Sequence, residues 1–202
     1  LIYATDYKNQ TIIIKMSKLL IMNFFYKKEE CRSLSNFWEC EVRIVDEDGN
    51  VRTYDSGECC FHGEKFTRVG RLCEDLNRKK ELLEYGNRFL KGNCEKDGGI
   101  VKKMGRKFIL SKEELELWYN LGVEVQREIC KYKFANYEEV RNDLCKSMGK
   151  VLIHPAMRCS EEKVRTRLWE GKGIVVDGKI EVIGKNILGK LWMELQNQAE
   201  SL

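Results

Sequence analysis

The sequence predicts an α+β fold, mostly helical and arranged around a small sheet. Two kinds of pattern carry that expectation. Over residues 112–134, Leu115, Trp118, Gly122, Val125, Ile129 and Tyr132 recur at steps of three and four, which places them on one face of a helix. Ser111-Lys112-Glu113-Glu114 opens that stretch with a capping box, in which the Ser oxygen and a Glu carboxylate satisfy free backbone N–H groups reciprocally. By contrast, residues 41–45 alternate polar and apolar, with Val42 and Ile44 inward, and residues 51–54 return after Asp48-Gly49. Period two around an Asp-Gly turn is a hairpin signature.

The other elements follow in order. Residues 21–25 read as a short strand entering a polar turn at Lys27-Lys28-Glu29-Glu30. After Ser56-Gly57 the period becomes helical, with one helix expected over 58–67 and helical spacing continuing over 71–89. Residues 92–99 read as a loop. A helix over 137–148 puts Val140, Leu144 and Met148 on one side. Val151-Leu152-Ile153 reads as a buried strand stopped by Pro155. A second hairpin is expected over 173–183, turning at Asp177-Gly178. Gly184-Lys185-Asn186 then leads into a last helix with Leu188, Leu191, Trp192 and Leu195 on one face, and Asn186 reads as its N-cap. Residues 1–20 read as an N-terminal extension or leading strand, and 21–202 as one domain. A chain of 202 residues buries about 70% of its unfolded surface, so its core needs no disulfide or metal.

Composition excludes several classes. Thirty-six Lys and Arg stand against 32 Asp and Glu, a net charge of +4, which is thin support for an obligate nucleic-acid coat. Lys15 and Lys18 interrupt the apolar run at the N-terminus, and no stretch of 18 apolar residues exists; neither a secretory leader nor a membrane span is expected. The nine cysteines form no Cys-x-x-Cys pair, so a structural zinc is not expected. Their odd number fits reduced thiols in a cytoplasmic, reducing setting.

Three patches exceed what local structure asks for. The first is Leu34-Ser35-Asn36-Phe37-Trp38, a polar pair between apolar residues. In the second, Glu58, His62 and Lys65 are four and then three residues apart, so on a helix they share a stripe. The third is Trp169-Glu170-Gly171, then Gly184-Lys185-Asn186-Ile187-Leu188-Gly189 and Trp192-Met193. Each residue has a plain alternative. Lys65 can be a surface cation paired to an acid, Glu58 an acid favoured by a helix N-terminus, and His62 a packing residue. Trp118 can be core, and Arg106, Arg165 and Arg167 a solvated face.

In that order and spacing, these patches resemble the NADAR superfamily, named for a proposed link to NAD and ADP-ribose. The resemblance spans about residues 22–198. It is carried by Met22-Asn23-Phe24-Phe25, Ser35-Asn36-Phe37, Glu58 with Lys65-Phe66, Met104-Gly105-Arg106, Trp118, Lys133-Phe134, Trp169, residues 184–189 and residues 192–195. The chain departs from the family pattern in places. Gly57-Glu58-Cys59 stands for Ser-Glu-His, Thr166 for an acid, and Glu170 separates Trp169 from Gly171. Residues 174–183 read as an insertion.

The resemblance implies an N-glycosidase. Some members remove a sugar phosphate from riboflavin-pathway intermediates; others remove ADP-ribose from guanine bases. For this chain the favoured expectation is cleavage of the C1–N bond between ADP-ribose and guanine in nucleic acid or nucleotide. The riboflavin-type reaction and a non-catalytic NAD or ADP-ribose-binding module are the alternatives. Lys65 is the expected Schiff-base nucleophile, because a neutral amine can attack an anomeric carbon, and Glu58 the acid/base. Asn36, Phe37, His62, Arg106, Trp118, Trp169, Gly184 and Asn186 are expected to bind substrate: indoles by stacking on a flat base, arginine by phosphate contact. Neither cofactor nor metal is called for. The partner is an ADP-ribose-modified nucleobase, nucleotide or nucleic acid, no membrane is involved, and a monomer is expected.

Overall fold

Strand β2, Glu39–Val45, buries Cys40, Val42 and Ile44 and turns Glu39, Arg43 and Val45 outward, as a period of two requires. The computed structural model describes residues 20–25, 27, 29–46 and 48–199. Residues 1–19 of the expected extension lie outside them, as do Lys28 and Glu47 of two expected turns. The chain divides into two compact units, one running from Ser33 to Glu138 and the other taking the chain up to Arg32 together with Glu139 onward. The α+β class holds, with the strands in three separate two-stranded sheets among the described residues rather than in one small sheet.

In the unit 33–138, β2 pairs antiparallel with β3, Val51–Ser56, placing Val42 opposite Tyr54. Asp46 Oδ1 closes their turn by accepting from the backbone N–H groups of Asp48 and Asn50 at 3.0 and 2.8 Å. Helix α1, Gly57–Leu72, starts where β3 ends, and Ser56 caps it by accepting from Cys59 N. Helix α2, Leu76–Asn87, follows after a break. The single helical stretch expected over 71–89 is interrupted because the Asp75 side chain captures Arg78 N and starts a new helix. Helix α3, Gly98–Lys107, fills sequence read as loop or left unassigned. Gly98-Gly99 looks like a breaker, but Asp97 caps the helix through Gly99 N and Ile100 N. A Cβ at Gly98 would lie 2.5 Å from Phe37 Cγ, so the glycine makes room for that ring. Helix α4, Lys112–Asn136, opens with the expected Ser111–Glu114 capping box.

The core of this unit gathers Val42, Ile44 and Tyr54 from the hairpin, Cys60, Phe66 and Val69 from α1, and Val125 and Ile129 from α4. A buried polar chain fixes α1 within it. Tyr54 Oη donates to Glu64 Oε1 at 2.5 Å, Glu64 Oε2 accepts from Arg68 Nε at 3.0 Å, and Arg68 donates twice to Glu128 at 3.0 and 2.6 Å. Glu64 is only 2% exposed. A buried carboxylate is tolerable when its oxygens are bonded this fully.

In the second unit, β1, Ile21–Asn23, pairs parallel with β4, Val151–Ile153. The strand expected over 21–25 therefore ends two residues early. Helices α5, Glu138–Lys146, and α6, Glu161–Arg165, precede the hairpin of β5, Lys172–Val176, and β6, Lys179–Ile183. The hairpin turns on Asp177 and Gly178, both at positive φ, as a two-residue turn requires. Helix α7, Ile187–Ala199, buries Leu188, Leu191, Trp192 and Leu195. Asn186 sits before it at φ +48. Its side chain does not cap the helix: Oδ1 accepts from His154 N at 3.0 Å and Nδ2 donates to Leu152 O at 2.9 Å.

All nine cysteines are free thiols, and no helix among the described residues is long and apolar enough to cross a membrane. On α1, a Cβ at Gly63 would lie 2.5 Å from Tyr54 Cε1 and 3.2 Å from Phe89 Cβ. Gly63→Ala is therefore expected to destabilise the protein by about 1–3 kcal/mol through overpacking, seen as a lower urea midpoint. A higher midpoint, the gain from helix propensity alone, would show that the rings yield.

Candidate active site

Helix α1 presents Glu58, His62 and Lys65 along one stripe, as their spacing predicts. Glu58 and His62 are each 7% exposed, and Lys65 is half-buried. His62 Nε2 lies 3.2 Å from Glu58 Oε1. Lys65 Nζ donates to the carbonyl of Gly105 on α3 and sits 4.3 Å from the centroid of the Phe66 ring.

Those surroundings change the amine. Burial disfavours its charged form and the Arg106 guanidinium repels it; Glu58 opposes both, and the outcome is a pKa lowered from 10.5 to about 8. At neutral pH about a tenth of such amines carry a free lone pair, against roughly one in three thousand for an ordinary lysine. A neutral amine is what nucleophilic attack needs.

The Ser35-Asn36-Phe37 segment is pinned over the start of α1. Asn36 O accepts from Glu58 N at 2.9 Å. The Asn36 side chain forms a reciprocal amide pair with Gln126 of α4, at 2.7 and 3.0 Å. Lys133, fully buried, donates from Nζ to Ser35 O at 2.9 Å and lies 5.3 Å from the Trp38 ring. The Asn36 amide is thus committed to Gln126, and a sugar hydroxyl would have to compete for it. Phe37 packs on Gly98 and is half-buried. Trp118 meets Phe61 edge to face, 4.9 Å between centroids, and remains partly accessible. Arg106 is exposed.

Seven of the ten residues expected at the site, Asn36, Phe37, Glu58, His62, Lys65, Arg106 and Trp118, therefore fall in the unit 33–138. Trp169, Gly184 and Asn186 fall in the other. There Trp169 is half-buried. Gly184, at φ +85, passes so close to Val164 O and Glu170 O that a Cβ would lie 2.7 and 2.8 Å from them. Asn186, 1% exposed, has both ends of its amide on the backbone around β4. Those bonds give the amide a structural duty.

Three contributors had no site role assigned from sequence, although Lys133 and Gly105 stand in quoted motifs. Gln126 and Lys133 lie on the inward face of α4 and give no sign of their partners. Gly105 belongs to the quoted Met-Gly-Arg, yet only the structure shows its carbonyl on Lys65 and its Cα against His62. A surface groove of about 510 Å³ is lined by Asp46, Asn50, Arg52, Thr53, Arg71 and Lys91, none of them a candidate residue. No group of three or more His, Cys, Asp or Glu able to hold a metal occurs among the described residues.

No family model matches the chain and no curated protein matches it. Among solved structures it is similar to the NMR structure of the E. coli protein YbiA, with a TM-score of 0.52 and 23% identity over 90% of this chain and 86% of that one. A likeness at that identity speaks for the fold alone, which this chain shares with YbiA.

The depressed amine gives a direct prediction. Labelling of Lys65 by a small aldehyde with cyanoborohydride, read by peptide mass, should rise with pH and level off above about pH 8, well below the plateau of an ordinary lysine amine. Arg106→Gln removes the repelling cation, so the Lys65 midpoint should move up.

Proposed function

We propose that this protein is an N-glycosidase that cleaves the bond between C1 of ADP-ribose and a guanine nitrogen, through an imine on Lys65. One observation carries the reading: a half-buried lysine with a depressed pKa shares a helix face with a buried glutamate. The neutral Nζ attacks C1 as the C1–N bond breaks. The proton lost by the amine passes to Glu58, and a proton from Glu58 goes to the departing nitrogen. The ring C1–O bond then opens as the Lys65 nitrogen forms the C1=N iminium, with the ring oxygen taking a proton that Glu58 draws from a water molecule. The hydroxide so formed adds to that carbon, and the carbinolamine passes its hydroxyl proton to the nitrogen and expels Lys65, returning the amine and a free sugar. The net change is hydrolysis, and no redox partner is needed.

Features around Lys65 support a phosphate-bearing substrate. Helix α3 carries Lys102, Lys103, Arg106 and Lys107 and no acid, and Arg106 is close enough to act on Lys65 electrostatically. Such a charge pattern suits a pyrophosphate. The edge-to-face Phe61–Trp118 pair offers a partly accessible aromatic surface for a flat base.

The test is an oligonucleotide bearing ADP-ribosylated guanine, followed for release of free ADP-ribose. Wild type should release it, and Lys65→Ala and Glu58→Gln should each lose activity by about 100-fold or more while melting like wild type. Release by Lys65→Ala at the wild-type rate would remove the covalent step. Binding of the oligonucleotide without release would favour a binding module. Turnover of a riboflavin-pathway intermediate, with the oligonucleotide untouched, would keep the chemistry and change the substrate.

A further inference from the structure

We propose that His62 is the positioning residue for Glu58: fixed as the Nε2–H tautomer by the backbone of Gly105, it donates to Glu58 Oε1 and leaves Oε2 to move protons in the reaction. The proposal rests on the N-glycosidase reading and adds to it the assignment of each carboxylate oxygen.

Three features of the site lead there. First, His62 Nδ1 is buried without a hydrogen-bond partner. A buried N–H with no acceptor costs about 1–3 kcal/mol, whereas a bare ring nitrogen facing a Cα–H gains a weak contact. The proton therefore belongs on the other nitrogen. Second, that nitrogen, Nε2, is 3.2 Å from Glu58 Oε1, and an ionised carboxylate only accepts. Third, the ring has little freedom. A Cβ at Gly105 would overlap its Nδ1, Cγ and Cε1 atoms, so α3 can approach only because residue 105 is glycine. Phe61 meets the ring edge-on, with centroids 5.7 Å apart and planes at 76°, and Phe89 lies 5.9 Å from it at 37°.

The carboxylate and the amine are referenced to one backbone point: the Gly105 carbonyl holds Lys65 Nζ, and the missing side chain of the same residue admits the ring that holds Glu58. Misplacement of a reacting group by even 1 Å costs about 100-fold, which gives such a clamp its value. His62 thus acts through Glu58, and the expected contact between His62 and substrate is replaced by this second-hand role.

The chain has two histidines, His62 and His154, so ¹⁵N-histidine NMR can read each tautomer, with His62→Gln assigning the signals. At neutral pH the His62 ring should show a protonated Nε2 and a bare Nδ1, and Glu58→Gln should shift the Nε2–H signal. A protonated Nδ1, or the averaged signal of a freely exchanging imidazole, would overturn the proposal. Kinetics supply the second arm. His62→Leu, similar in bulk, should lower kcat about 100-fold with KM little changed. His62→Gln puts an amide N–H where Nε2–H stood and should recover most of that loss. Equal activity of the two variants would mean that the hydrogen bond to Glu58 does not matter. The tautomer needs no substrate, so it judges the His62–Glu58 arrangement even if wild type releases no sugar, a result that counts against the glycosidase reading alone.

Discussion

The contact between α1 and α3 at Gly105 is the constraint on which the site depends. Its carbonyl receives the Lys65 amine, and its missing side chain admits the His62 ring. Close approach draws the amine out of water and leaves Arg106, the next residue on α3, as its neighbouring cation. Burial and like charge both favour a neutral amine. A lysine on the surface of the same helix would stay protonated, so the lowered pKa of Lys65 comes from where α3 lies and not from the lysine itself.

That approach holds only if α1 is immobile. Three attachments secure it, all within residues 33–138. At its start, Asn36 O accepts from Glu58 N while Gln126 and Lys133 of α4 grip the Ser35-Asn36 backbone and amide. In its middle, the Tyr54–Glu64–Arg68–Glu128 chain ties it to β3 and α4. Along its apolar side, Cys60, Phe66 and Val69 are fully buried. The polar groups are costly to bury and are almost fully bonded, an arrangement that fixes geometry more than it adds stability. Reactive groups benefit from such rigid support.

Elements with a local signature were legible in the sequence. The capping box at Ser111, the 3.6-residue period of α4 and the two hairpins around Asp48-Gly49 and Asp177-Gly178 are short-range patterns, and the structure reproduces them. Helix α3 was not legible, because Gly98-Gly99 resembles a turn until the Phe37 ring that needs the space is known. The break before α2 depends on one Asp75 hydrogen bond that periodicity does not encode. At the site, the stripe of Glu58, His62 and Lys65 followed from spacing on one helix. The roles of Asn36 and Asn186 did not, since both amides are filled by partners about 90 and 30 residues away in sequence. Long-range pairing of polar groups leaves no trace in a single sequence, and neither does the packing of a glycine against a ring.

The central claim is that Lys65 becomes covalently attached to the sugar during turnover. It is tested most directly by adding borohydride while the protein acts on ADP-ribosylated guanine oligonucleotide, then mapping any mass increase by peptide sequencing. A reduced sugar adduct on Lys65 that requires both substrate and reductant is the expected result. Release of ADP-ribose at the normal rate with no trapped adduct, or with the adduct on another lysine, would contradict the account.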